Sequence, residues 1–234
     1  GSGKRIDLVS TLRAAAPWQP LRRKTALVDK PGLHIRRSDL RLKRYVETSD
    51  RVLIFTVDAS GSSALARLAE AKGAVELLLA QAYARRDHVA LIAFRGSSAE
   101  LLLPPTRSLV QTKRRLAGLP GGGGTPLAAG LQLALLTALQ TRARGMTPTI
   151  ALLTDGRGNI ALDGSANRAE AEADSHRLAL ALRNTGVPTL VIDIATRPQP
   201  ALRDLAARMD APYLPLPRAD AHRLSAVLGA ALEG

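Results

Sequence analysis

Val52-Leu53-Ile54-Phe55-Thr56-Val57-Asp58-Ala59-Ser60-Gly61-Ser62 is the stretch from which the rest of the chain can be read. Its first six residues carry no charge and are rich in β-branched and aromatic side chains. That is the pattern of a strand buried on both faces of a parallel sheet. A carboxylate and two hydroxyls then stand at alternate positions, where such a strand leaves the sheet. Asp and Ser are hard oxygen donors, which suit Mg²⁺ or Mn²⁺ rather than the softer ions selected by thiolate and imidazole.

Moving outward, strand and helix patterns alternate to the end of the chain. Leu65, Leu68, Ala71, Val75, Leu78, Leu79 and Ala82 recur at three- and four-residue steps and predict a helix. His88–Phe94 and Thr149–Leu153 are further apolar strands, Val187–Ile194 and Pro212–Leu216 two more, and Ala99–Leu103 a short one. Ser108–Leu116, Glu170–Leu182, Ala201–Met209 and Ala219–Leu232 read as helices. A glycine loop, Gly121–Pro126, precedes a helix carrying Leu127, Leu131, Leu135 and Leu139, with Pro126 suited to its first turn. This alternation predicts an α/β fold: a Rossmann-like, mostly parallel sheet with helices on both faces.

In such sheets ligands bind beyond the carboxyl ends of the strands. Asp58 and Asp155 each close a buried strand there, and Thr125 lies in the glycine loop, close enough for its hydroxyl to join them. The oxygen-only set Asp58, Ser60, Ser62, Thr125 and Asp155 therefore points to a hard cation. Mg²⁺ favours octahedral oxygen and keeps waters, so a shell with few protein ligands suits it and leaves room for an incoming carboxylate. Asp58 and Ser60 are expected on a loop outside the core. Asp58 and Asp155 as plain helix N-caps is the simpler alternative.

Composition narrows the function classes. The 234 residues are 46% apolar but only 3% aromatic, so an aliphatic core is expected. The chain has no cysteine, which removes disulfides and thiolate metal sites and suggests a reducing compartment such as the cytoplasm. No run of eighteen apolar residues exists to span a membrane. Net charge is +13, and residues 1–50 hold 12 of the 33 basic residues against 5 of the 20 acidic ones. That arm carries only Trp18 and Tyr45 for base stacking, so nucleic acid is not the expected partner. Arg22, Arg23 and Lys24 read instead as a patch facing solvent or an acidic subunit. The glycine loop lacks the lysine of a phosphate-binding loop, and Asp58 and Ser62 stand where a Gly-x-Ser-x-Gly nucleophile motif needs glycine. His34, His88, His176 and His222 are scattered and read as structural or exposed.

The layout is then residues 1–3 as a cloning scar, residues 4–50 as a basic arm, and residues 51–234 as the α/β domain. The arm is expected to hold a short helix near Leu8–Ala15 and an edge strand or hairpin over Leu33–Tyr45.

Asp58-x-Ser60-x-Ser62, then Thr125, then Asp155-Gly156 resembles the metal-ion-dependent adhesion site (MIDAS) of von Willebrand factor A, or integrin I-like, domains. The resemblance implies about six strands with one antiparallel edge strand, here Ala99–Leu103. It also implies direct contact of the ion with Ser60, Ser62 and at times Thr125. Asp58 and Asp155 would act largely through water, and a partner's acid would complete the shell. Further stretches resemble the D-subunit family of magnesium chelatases. They are Thr11–Pro17, Val57–Ser62, Arg86-Asp87, Phe94–Gly96, Ala99–Pro105, Gly122–Leu127, and Thr154–Arg157 with Asn159-Ile160. Ser63 departs from that family's usual Met. The family's enzyme inserts Mg²⁺ into protoporphyrin IX for chlorophyll or bacteriochlorophyll synthesis. The resemblance therefore implies a non-catalytic interaction module whose partners are an AAA+ I subunit and a porphyrin-binding H subunit. It also implies that the family's AAA+-like module and acidic linker lie outside this sequence. A von Willebrand A module of another AAA+ chelatase or chaperone system is one alternative. A metal-dependent phosphohydrolase with Asp58 as nucleophile is another, although Ser60 stands where that chemistry needs a second Asp.

Overall fold

β1 (Arg51–Asp58) lies inside a six-stranded sheet of order β3-β2-β1-β4-β5-β6. The structure is a computed structural model and describes residues 6–25, 32–42, 50–60 and 72–216. β2 (His88–Arg95) and β4 (Thr147–Thr154) flank β1, both parallel to it. β5 (Thr189–Asp193) and the short β6 (Tyr213–Pro215) continue the parallel run. β3 (Ser98–Thr106) closes the other edge antiparallel to β2, as expected, and is longer than the Ala99–Leu103 run suggested. Parallel neighbours need long crossovers, which is why helices intervene between the strands.

The described helices of this part are α3 (Lys72–Ala84), α4 (Leu109–Ala117), α5 (Leu127–Ala143), α6 (Arg168–Thr185) and α7 (Pro200–Arg208). Pro126 stands at the N-cap of α5 rather than within its first turn. Leu65, Leu68 and Ala71 of the expected long helix, and the expected closing helix Ala219–Leu232, lie outside the described residues.

Strand periodicity sorts the core into two layers. Leu53, Phe55 and Val57 pack with Leu79, Leu91 and Leu153 on one face. Val52 and Ile54 pack with Ile92, Phe94, Leu127 and Leu131 on the other. The chain's two phenylalanines thus fall one to each face. α5 comes very close to the second layer at Gly130, where a Cβ would lie 2.5 Å from Phe94 Cδ1.

By contact the chain separates into two units, Gly1–Thr48 and Ser49–Gly234, the second holding the sheet. In the first, α1 (Leu8–Ala15), a 3-10 turn at Ala16–Trp18 and α2 (Gln19–Lys24) run in succession. Asp7 caps α1 by accepting from Ser10 N at 3.1 Å. The interior of this unit is polar. Gln19 Nε2 donates to Ala15 O at 2.9 Å and His34 O at 3.1 Å, and His34 N donates back to Gln19 Oε1 at 2.8 Å. Arg22 forms a two-pronged ion pair with Asp39, with Nη2 to Oδ1 at 2.9 Å. Arg41 N donates to Thr11 Oγ1 at 3.0 Å. Ala15 is the one buried apolar side chain among the unit's described residues, while Leu8, Val9, Trp18 and Leu21 are all more than half exposed.

Two expectations for this region are corrected. Arg22 is buried, not part of a solvated patch, because Asp39 compensates its charge and His34 O accepts from Nη1 at 2.8 Å. The described part of Leu33–Tyr45 holds a 3-10 turn at Arg37–Asp39 and one isolated bridge, Ile6 to Leu42, rather than a strand or hairpin. Asp39 organises that turn by accepting from Arg36 N at 2.8 Å, which bends the backbone out of strand geometry.

Candidate metal centre

Three loops meet at the carboxyl edge of β1 and β4. The first follows β1, where Ala59 N donates to Phe94 O at 3.1 Å, so the chain turns out over the end of β2. The second is the glycine loop, tied to the first by Gly122 N donating to Ala59 O at 3.2 Å. The third follows β4 and is bound reciprocally to the second. Thr125 N donates to Asn159 Oδ1 at 2.7 Å, and Asn159 N donates to Thr125 O at 3.1 Å. Glycine is required here for closeness: at Gly123, with φ +86°, a Cβ would lie 2.8 Å from Gly96 Cα.

These loops deliver the expected side chains to one place. Ser60 Oγ donates to Asp58 Oδ1 at 2.6 Å, and Thr125 Oγ1 donates to Ser60 Oγ at 2.7 Å, across 65 residues of sequence. Asp58 Oδ1 also accepts from Ser60 N at 3.0 Å, and its Oδ2 from Thr154 Oγ1 at 2.8 Å. Asp155 sits beside them at the end of β4, its Oδ1 accepting from Arg157 N at 3.0 Å. Exposure is 0% at Asp58, 8% at Ser60, 7% at Thr125 and 5% at Asp155. Ser62 lies outside the described residues.

Asp58 is therefore not on a loop outside the core, as expected, but is the fully buried last residue of β1. Burial pushes its carboxyl above the usual carboxylate range, and the nearby Asp155 adds to this. The bonds from Ser60 and Thr154 pull the other way. A buried carboxylate with a second one near it favours a positive charge.

The donor set fits a hard divalent cation. Oxygens bound side by side on an octahedron of Mg²⁺ radius lie about 3.0 Å apart, close to the 2.7 Å between Ser60 Oγ and Thr125 Oγ1. Among the described residues no three His, Cys, Asp or Glu side chains cluster as a metal site. The donors brought together here are hydroxyl and carboxylate oxygens, a set that suits magnesium or manganese better than zinc.

Thr154 and Asn159 are the contributors that single-residue reasoning passes over. Thr154 acts because the parallel register sets Val57 against Leu153, which brings the next hydroxyl level with Asp58. Asn159 acts by fixing the Thr125 backbone, a role that its place in the family-like stretch after Asp155 did not reveal. Asp193, near the same edge, is fully buried and accepts from Tyr213 Oη and from Ala195 N at 2.8 Å, a structural role. Burial and this bond push the Tyr213 phenol up.

Residues 53–157 match the von Willebrand factor type A domain family, and residues 1–45 match the AAPxQ domain. The letters of that second name stand here as Ala15-Ala16-Pro17-Trp18-Gln19, the segment whose glutamine is buried. The magnesium-chelatase 60 kDa subunit of Cereibacter sphaeroides is 75% identical over 99% of this chain and 41% of its own length. That of Rhodobacter capsulatus is 64% identical over 98% and 41%. The 67 kDa subunit of Chlorobaculum tepidum is 41% identical over 95% and 38%. The chain thus spans about two fifths of the curated relatives it matches. Among solved structures, the von Willebrand domain of the pilus tip protein Mfa5 from Porphyromonas gingivalis superposes with a TM-score of 0.60 at 13% identity. It covers 81% of this chain and 97% of that one. The SpRpn10 VWA domain gives 0.55 at 17%, covering 78% and 95%. At such identities these two show a shared fold. No described helix is long and apolar enough to cross a membrane.

Proposed function

The chain belongs to the family of the magnesium-chelatase 60 and 67 kDa subunits, the D subunits, and carries a von Willebrand factor type A domain; from that premise we propose that this domain is a Mg²⁺-dependent docking module. In this reading it couples a ring of the D subunit and the AAA+ I subunit to the porphyrin-binding H subunit, in the bacterial cytoplasm. The assembly then inserts Mg²⁺, as substrate, into protoporphyrin IX for chlorophyll or bacteriochlorophyll synthesis. The module makes and breaks no bond itself.

The observation that carries this reading is the meeting of Ser60, Thr125 and Asp58 from separate loops, within 2.7 Å of one another in succession. Ser60, Ser62 and Thr125 would hold a resident Mg²⁺ directly, with Mn²⁺ an acceptable substitute, and Asp58 and Asp155 would hold it through water. Bound there, the ion would supply a Lewis-acidic position for a carboxylate of a partner subunit. Thr154 keeps Asp58 aimed, and Asn159 keeps the Thr125 loop against the β4 loop. The burial of Asp58, with both oxygens engaged, weighs against its use as a phosphohydrolase nucleophile.

The test is association of the complete D subunit with purified I and H subunits at varied Mg²⁺. Asp58→Asn and Ser60→Ala are expected to weaken Mg²⁺-dependent association with at least one partner by tenfold or more, about 1.4 kcal/mol. Wild-type affinity of both variants for both partners would overturn the reading.

A further inference from the structure

Next to the rim formed by Asp155, a groove of about 430 Å³ opens between the loop after β4 and helices α6 and α7. Its floor is apolar: Leu127, Ala171, Leu202 and Leu205 line it, each at most 4% exposed. Its walls carry Arg157, Arg168, Glu172, His176 and Gln199. Two arginines and one glutamate therefore stand on those walls, a surplus of positive charge. Arg157 is loosely held, with Nε 3.9 Å from Asp155 Oδ2 and a side chain 58% exposed. Arg168 has no ion pair among the described residues.

The groove and the metal rim form one surface, since Gly156 and Arg157 line the groove while Asp155 just before them belongs to the rim. A partner segment that places an acid at the rim must continue somewhere, and this is the adjoining concavity. We propose that the groove receives the partner residues next to the docking acid. The occupant is a short extended segment with a second carboxylate, met by Arg157 and Arg168, and an aliphatic side chain seated on Leu127, Leu202 and Leu205. The metal would then supply attachment and the groove the choice of partner, because any carboxylate can approach a cation but few sequences match an apolar floor with two arginines on its walls. This inference rests on the docking function proposed above.

The experiment uses the complete subunit in saturating Mg²⁺. The probe is whichever purified partner, the I or the H subunit, loses affinity for Asp58→Asn. Ala201→Trp fills the groove from an exposed position on α7, and Arg168→Glu reverses a charge on its wall. Each is expected to weaken association at least tenfold while the Mg²⁺-induced thermal shift stays as in the wild type, and Arg168→Lys is expected to retain most of the affinity. If both variants bind like the wild type while Asp58→Asn does not, the groove proposal falls and the metal-dependent reading stands. If Asp58→Asn and Ser60→Ala both bind each partner normally, the reading beneath it falls and takes the groove with it. Should Ala201→Trp melt early, Arg168→Glu alone decides.

Discussion

Thr154 does its work from inside the protein. Its hydroxyl is fully buried and donates to a buried carboxylate, so Thr154→Val leaves Asp58 Oδ2 without that donor. The expected loss is about 1–3 kcal/mol of stability, read as a fall in the urea midpoint with unchanged slope. Mg²⁺ affinity should fall with it, since a carboxylate no longer held in place is a poorer ligand by either direct or water-mediated contact. A Thr154→Val variant as stable as the wild type would show that the bond contributes little. Arg22 and Asp39 allow a test by pH. The Arg22 guanidinium, then the Arg36 N–H, hold the Asp39 carboxyl down at about 2, below the usual carboxylate range. A lowered folded-state pKa means that the stabilisation is complete above the unfolded value and drains away as pH falls through about 2. Amide exchange protection in α1 and α2 should therefore weaken between pH 4 and 2, and Asp39→Asn should flatten that dependence.

Among the elements, α5 shows how closely packing constrains sequence. Glycine inside a helix is ordinarily worse than alanine by about 1 kcal/mol, so propensity alone predicts that Gly130→Ala stabilises. The structure predicts the opposite, because the new methyl would meet the Phe94 ring, itself fully buried. Overpacking of this kind costs about 1–3 kcal/mol. Gly130→Ala should lower the melting temperature, and adding Phe94→Leu should recover part of the loss. The same scale explains what could be read in advance. The strands around Val52–Val57 and Thr149–Leu153 were legible because a strand covered on both faces has no freedom to carry charge. Asp58, Ser60, Thr125 and Asp155 were legible because each stands where a strand or glycine loop ends. Thr154 was not, since its role depends on the register between β1 and β4, and register is a property of two strands. Arg22 misled for a similar reason: the carboxylate that admits it to the interior lies 17 residues away, beyond any local pattern.

For the whole molecule, the proposed metal site predicts a response to Mg²⁺ and the net charge predicts one to salt. An ion that binds the folded chain and not the unfolded one raises stability by mass action. The melting temperature should therefore climb with Mg²⁺ concentration in the wild type and stay level in Asp58→Asn. With a net charge of +13, association with an acidic partner should also slow as salt rises and screens the attraction. The two units of the chain, however, store their stability differently. The sheet unit is filled with aliphatic side chains, whereas Gln19, Arg22, Asp39 and Thr11 occupy the interior of the first unit. Heat capacity on melting comes chiefly from wetting oily surface, about 12–15 cal/mol/K per residue in ordinary domains. Calorimetry should find that nearly all of this increment belongs to the sheet, and that the glutamine-centred unit has a shallow stability curve, little strengthened by warmth and little weakened by cold.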